Sequence, residues 1–192
     1  MRLGIFGGTF NPPHIGHLIV IENVRDQLHF DKVLLIPSAN PPHKQDSSLA
    51  SALDRYEMTK LAIQENTALE VSPLEIERRG PSYTIDTLSA LAALYPKTDL
   101  TLVIGNDNFI EFGTWKSPDE ILAMADLVVM NRSGFAMPDT KNEFSKSARF
   151  VTVPQIGISG SDIRLRVKMG RSIRYLVQRP VEEFIRYKGL YR

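Results

Sequence analysis

The sequence predicts an α/β protein built around a mostly parallel sheet, and three observations carry that expectation. Its apolar segments are short, near-continuous runs of Val, Ile and Leu, as in strands buried on both faces. Each run stops at a turn residue. Between the runs lie segments whose apolar residues recur with a 3.6-residue period, as on one face of a helix. Such alternation gives βαβ units with right-handed crossovers.

Taken in order, Leu3-Gly4-Ile5-Phe6 runs into Gly7-Gly8, and Lys32-Val33-Leu34-Leu35-Ile36 into Pro37. Leu100-Thr101-Leu102-Val103-Ile104 stops at Gly105, and Leu127-Val128-Val129-Met130 at Asn131. Residues 17–28 place Leu18, Ile21, Val24 and Leu28 on one helical face, and residues 84–95 do the same with Ile85, Leu88, Leu91, Ala92 and Tyr95. The last fifth is mostly helical: Ser159 can cap a helix through Val167, and Pro180 can open one that ends near Gly189. Residues 38–48, with Pro41-Pro42, and residues 133–146, interrupted by Pro138, are expected as loops.

A chain of 192 residues forms one domain. It can bury roughly 70% of its unfolded surface without disulfides or metals. A net charge of +1 argues against a nucleic-acid polymer as partner. No cysteine is present, which excludes thiol nucleophiles and thiolate zinc sites and fits a reducing cytoplasm. No stretch approaches the 18 apolar residues or so of a membrane span. Homo-oligomer formation is left open.

The chemistry concentrates after the first strand, in Gly7-Gly8-Thr9-Phe10-Asn11-Pro12-Pro13-His14-Ile15-Gly16-His17. Ligands of open α/β sheets bind beyond the carboxyl ends of strands, often at a helix N-terminus. Adjacent glycines let backbone approach a ligand. Gly16 leaves room beside two histidines spaced three apart, hence on one face if the helix has begun. Such imidazoles can donate to phosphate oxygens. On spacing alone, a proline-rich turn with surface histidines and a zinc site stay open, although the HExxH spacing is absent. No GxxxxGK[ST] or GxGxxG motif occurs.

The complete string resembles the GGTFDPxHxGH signature of the HxGH nucleotidyltransferase superfamily. Ile158-Ser159-Gly160-Ser161-Asp162-Ile163-Arg164 resembles that superfamily's second signature, ISSTxIR. Two positions depart from the pattern: Asn11 stands where Asp is common, and Gly160 where Ser is common. Pro41-Pro42-His43-Lys44, residues 75–88, Gly105-Asn106-Asp107, Phe112 and Trp115 are similar to the bacterial nicotinate-mononucleotide adenylyltransferases. The similarity runs along essentially the whole chain, residues 1–192.

That resemblance implies a doubly wound, Rossmann-like sheet with helices on both faces. It also implies transfer of the adenylyl group of ATP to nicotinate mononucleotide, giving deamido-NAD and pyrophosphate. Mg²⁺ would be bound mainly through the ATP phosphates. Nicotinamide mononucleotide, phosphopantetheine and cytidylyltransferase substrates are the rival acceptors. The implied catalytic residues are His14, His17, Lys44 and Arg164. ATP would meet Gly7, Gly8, Thr9, Phe10, His14, His17, Gly105, Asp107, Ile158, Ser159, Ser161 and Arg164. The mononucleotide would meet Lys44, Ser82, Tyr83, Thr84 and Trp115, with no protein-held metal. Residues 38–48 are expected to order over bound nucleotide.

Overall fold

A computed structural model describes residues 1–40, 49–78, 80–132 and 142–192. It contains six strands: β1 (Arg2–Gly8), β2 (Lys32–Pro37), β3 (Leu69–Val71), β4 (Asp99–Gly105), β5 (Asp126–Arg132) and β6 (Ala148–Val153). They form one sheet in the order β3-β2-β1-β4-β5-β6, and every pairing is parallel. This is the doubly wound order, with the chain reversing its direction of travel between β1 and β4.

The helices are α1 (Ile15–Leu28), α2 (Ala52–Ile63), α3 (Leu74–Glu77), α4 (Thr84–Leu94), α5 (Asn106–Ile110), α6 (Pro118–Met124), α7 (Gly160–Lys168) and α8 (Arg179–Lys188). Side-chain alternation along each strand divides the core in two. Val33, Leu35, Val128 and Met130 meet Ile21, Val24, Met58, Ile163, Val181 and Ile185, so α1, α2, α7 and α8 cover one face. Leu34, Ile36, Leu127 and Val129 meet Ile85, Leu88, Leu91, Phe109 and Ile121, so α4, α5 and α6 cover the other. Burial on both faces is why the strands read as unbroken apolar runs.

The sequence signals hold at the main termini. Ser159 caps α7, its Oγ accepting from the Asp162 N–H at 3.1 Å. Gly189 ends α8 in the left-handed region at φ 64°, where a residue without Cβ carries no steric penalty. Two strands were not legible. β3 is only three residues long, and β6 alternates exposed and buried positions at the sheet edge instead of forming an apolar run. The expected 133–146 loop needs correction at its end, where residues 143–147 form a 3-10 turn capped by Asn142. Among the described residues, no helix is long and apolar enough to cross a membrane.

Candidate active site

The reversal between β1 and β4 opens a crevice at the carboxyl ends of the strands. Residues 9–14 cross it from β1 to α1, and long-range hydrogen bonds hold them. The Thr9 carbonyl accepts from Arg55 Nη1 at 2.7 Å. Arg55 is fully buried and also donates to the carbonyls of Ala39 (3.3 Å) and Ala50 (3.1 Å). One guanidinium therefore ties the loop after β1 to the chain after β2 and to the entry of α2. Its five N–H donors in a fixed fork suit this task. The Asn11 carbonyl accepts from Arg164 Nη1 at 2.9 Å, and its side-chain Oδ1 from the Ala50 N–H at 3.1 Å and the Tyr191 hydroxyl at 2.7 Å.

His14 is the N-cap of α1, and His17 lies in its first turn. Their rings stack at 3.6 Å between centroids, tilted by 23°. The His14 N–H donates to His17 Nδ1 at 3.2 Å. That bond assigns the proton of neutral His17 to Nε2 and makes Nε2 a donor. Burial lowers His14 from 6.5 to about 4. Burial, reinforced by the neighbouring His14, lowers His17 from 6.5 to about 3. Both rings are neutral at pH 7. Phe10 meets the His17 ring edge-on at 5.3 Å. A Cβ on Gly16 would lie 3.0 Å from His14 Nδ1, so any side chain there would press on the stacked pair.

The N-terminus of α7 closes the same end of the sheet. Arg164 reaches from it to the Asn11 carbonyl and to Ser161 Oγ at 3.4 Å. Ser159 and Ser161 are exposed beside it. Buried polar side-chain atoms without a hydrogen-bond partner gather in this region. Of the six among the described residues, five follow the carboxyl ends of strands: His14 Nδ1 after β1, Ser38 Oγ after β2, Glu75 Oε2 and Arg78 Nη1 after β3, and Asn106 Oδ1 after β4; the sixth, Ser145 Oγ, lies in the 3-10 turn before β6. Unpaired polar groups are costly inside a protein, and their concentration marks a place built for a polar ligand.

On the other side of the crevice, Tyr83 caps α4. The Lys116 ammonium lies 4.8 Å from the Tyr83 ring centroid and 3.1 Å from Asp86. Trp115 beside it is half-buried against Phe112, with ring centroids 5.3 Å apart.

Known proteins resemble the chain along its whole length. The family described as cytidylyltransferase-like matches residues 5–166. A protein of Salinibacter ruber named probable nicotinate-nucleotide adenylyltransferase is 42% identical, covering 100% of this chain and 98% of the relative. One of the same name from Thermus thermophilus is 42% identical over 100% of both chains. The chain belongs to the nicotinate-nucleotide adenylyltransferase family. A solved structure, Plasmodium falciparum nicotinic acid mononucleotide adenylyltransferase complexed with NaAD, aligns with TM-score 0.80 over 99% of this chain and 97% of that one. At 16% identity it shows the shared fold.

Against the family's pattern, the structure brings most expected residues together. Gly7 and Gly8 end β1, Gly105 ends β4, and Asp107 is exposed in the first turn of α5. Ile158 packs half-buried against the core next to Ser159. Lys44 lies outside the described residues, as do residues 41–48 of the expected ordering loop.

Two of the expected residues have further contacts. The Phe10 side chain is 2% exposed and belongs to the core, so only its backbone can face a ligand. Ser82 Oγ accepts from the N–H groups of Ala39 (3.1 Å) and Asn40 (3.3 Å), so the residue also braces two loops while its O–H remains a donor. The N–H groups of Ser82 and Tyr83 are bonded to the carbonyls of Asn40 and Pro81. The unpaired donors at this helix end are therefore those of Thr84, Ile85 and Asp86.

Sequence reasoning gave no role to Arg55, Lys116 or Tyr191. An arginine inside an α2 that carried no recognised signal reads as a surface charge. Nothing local in the sequence marks Tyr191 as a partner of Asn11.

Proposed function

We propose that this chain transfers the AMP unit of ATP to the phosphate of nicotinate mononucleotide, releasing pyrophosphate. The observation that carries this reading is the stacked His14–His17 pair at the N-terminus of α1, over the β1–β4 reversal and beside Arg164.

The acceptor phosphate is ionised at neutral pH and supplies its own nucleophile. The protein's work is positioning and electrostatic stabilisation. His17 donates from Nε2 to an oxygen of the α-phosphate, where negative charge develops. His14 stands against it, and the Gly16 N–H is the donor of this helix end that no carbonyl of the described residues takes up. Arg164, with Lys44, takes the charge of departing pyrophosphate. Ser161 and the α7 terminus face the same phosphates. Acceptor oxygen, α-phosphorus and leaving oxygen are in line, with no covalent enzyme intermediate.

Among the described residues, no three His, Asp or Glu side chains converge as a metal cage. This donor set suits Mg²⁺ that enters with ATP, held by phosphates and water. When bound, the cation neutralises phosphate charge, and Asp107 is the carboxylate at the end of β4 available to its water shell.

The acceptor's ring lies at Trp115, and its carboxylate at the first turn of α4. Pyrophosphate release from ATP with nicotinate mononucleotide, its amide and phosphopantetheine tests the reading. Turnover with the first acceptor is expected. Absence of turnover, or turnover with phosphopantetheine alone, defeats it.

A further inference from the structure

We propose that Tyr191 is a positioning residue for this reaction, acting through Asn11 on the two histidines. The inference rests on the adenylyl-transfer reading above.

The Tyr191 hydroxyl donates to Asn11 Oδ1 at 2.7 Å across a separation of 180 residues. Asn11 is 8% exposed and joins four segments. Its own loop carries the histidines, Ala50 leads into α2, Arg164 comes from α7, and Tyr191 follows α8. Only Pro12 and Pro13 separate Asn11 from His14. Each proline fixes its φ near −65°, so this spacer passes a displacement of Asn11 to His14 instead of absorbing it. The His14 N–H in turn fixes the His17 ring through Nδ1. A hydroxyl at residue 191 is thus connected to the His17 donor by one hydrogen bond, the stiff Pro12-Pro13 spacer and a second hydrogen bond.

The direction of the Tyr191–Asn11 bond is also determined. Oδ1 of an amide only accepts, so the phenol must donate. Burial pushes the Tyr191 hydroxyl above its ordinary value of 10, which keeps its proton in place across the working range. Asn11 gives this bond without a second charge in the loop. Aspartate, common in the superfamily's signature, would offer an equivalent acceptor oxygen.

Tyr191→Phe removes the hydroxyl and keeps the ring. A displacement of even about 1 Å in a catalytic group costs up to about 100-fold in rate. The expected result is a fall in kcat of about tenfold or more, with the KM for ATP and the melting temperature nearly unchanged. In an Asn11→Ala background the same substitution should cost little, because its acceptor is gone. In Asn11→Asp it should cost as much as in the parent. Wild-type kcat in folded Tyr191→Phe overturns the proposal, and so does an equal loss in the Asn11→Ala background. Imidazole NMR provides a readout independent of activity. The His14 and His17 signals should shift in Tyr191→Phe, and unchanged signals overturn the proposal even if another reaction proves to be catalysed. Lack of adenylyl transfer by the wild-type chain counts against the functional reading, while the NMR comparison still decides the positioning claim.

Discussion

Gly160 lies so close to the carbonyl of Asn11 that a Cβ on it would stand 2.8 Å from that oxygen. The two positions at which this chain departs from the superfamily's signatures are therefore in contact. The contact sits where α7 meets the histidine loop, next to the Arg164–Asn11 hydrogen bond. Loss of a hydroxyl is the smaller consequence of glycine at 160, and room for backbone is the larger one. Gly160→Ala should displace the Asn11 loop or the start of α7. Overpacking of this kind costs about 1–3 kcal/mol. Urea denaturation and kcat should both register it, and a variant as stable and active as the parent would remove the steric argument.

His17→Ala should lower kcat by roughly 10²–10³, the scale of losing one preorganised donor to a developing oxyanion. ATP affinity should change much less, since Arg164 and the helix ends remain. Because Nε2 is the donor, His17→Gln should recover part of the rate through its side-chain amide. Steady-state kinetics on folded variants, with calorimetric ATP binding, separate the two quantities. Near-normal kcat in His17→Ala would take His17 out of the mechanism.

Acid should destabilise the protein through these same rings. Their folded values of about 4 and about 3 lie below the ordinary 6.5. From pH 6.5 downward the unfolded chain binds protons that the folded chain refuses, so stability falls as pH falls. The loss runs at up to about 1.4 kcal/mol per pH unit for each histidine. It levels off near pH 4 for His14 and near pH 3 for His17, once the folded form is protonated too. Melting temperature from pH 7 to pH 4.5 should drop less steeply in a His14→Asn, His17→Gln double variant than in the parent. Parallel curves would show that the rings titrate normally.

Selectivity for nicotinate mononucleotide over its amide is expected at about tenfold or more in kcat/KM, a difference of about 1.4 kcal/mol. A carboxylate accepts from the unpaired first-turn N–H groups of α4, whereas a carboxamide turns an NH₂ toward them. Thr84→Pro is a sharp test. Proline is tolerated at the first helical position and removes only that N–H, and the extended backbone of Tyr83 (φ −87°, ψ 133°) accepts a following proline. The variant should keep its helix and lose discrimination. Equal kcat/KM for both acceptors in the parent would refute the assignment of α4.

The sheet's central strands, α1, α4, α7 and α8 were legible because burial on two faces or one stripe writes a periodic apolar code. The edge strands were not, since β3 is too short for a period and β6 is half solvated. The histidine loop and α7 were legible as contiguous strings. The roles of Arg55 and Tyr191 were hidden because each depends on a contact between distant segments. The bracing role of Ser82 was hidden for the same reason, as its partners Ala39 and Asn40 are more than 40 residues away in sequence. Phe10 sits inside the signature yet serves the core.

The central place of β1 has a consequence for biogenesis. Arg2–Gly8 is made before the strands on either side of it, Lys32–Pro37 and Asp99–Gly105, and the edge that takes Asp99–Gly105 stays open until that strand has left the ribosome. At synthesis rates of about 5–20 residues per second that interval is roughly 5–20 s. For that time the nascent chain displays an uncovered, apolar strand edge, the kind of surface that pairs with other chains. A chaperone holding the first hundred or so residues would therefore protect the strand from which the histidine loop later springs.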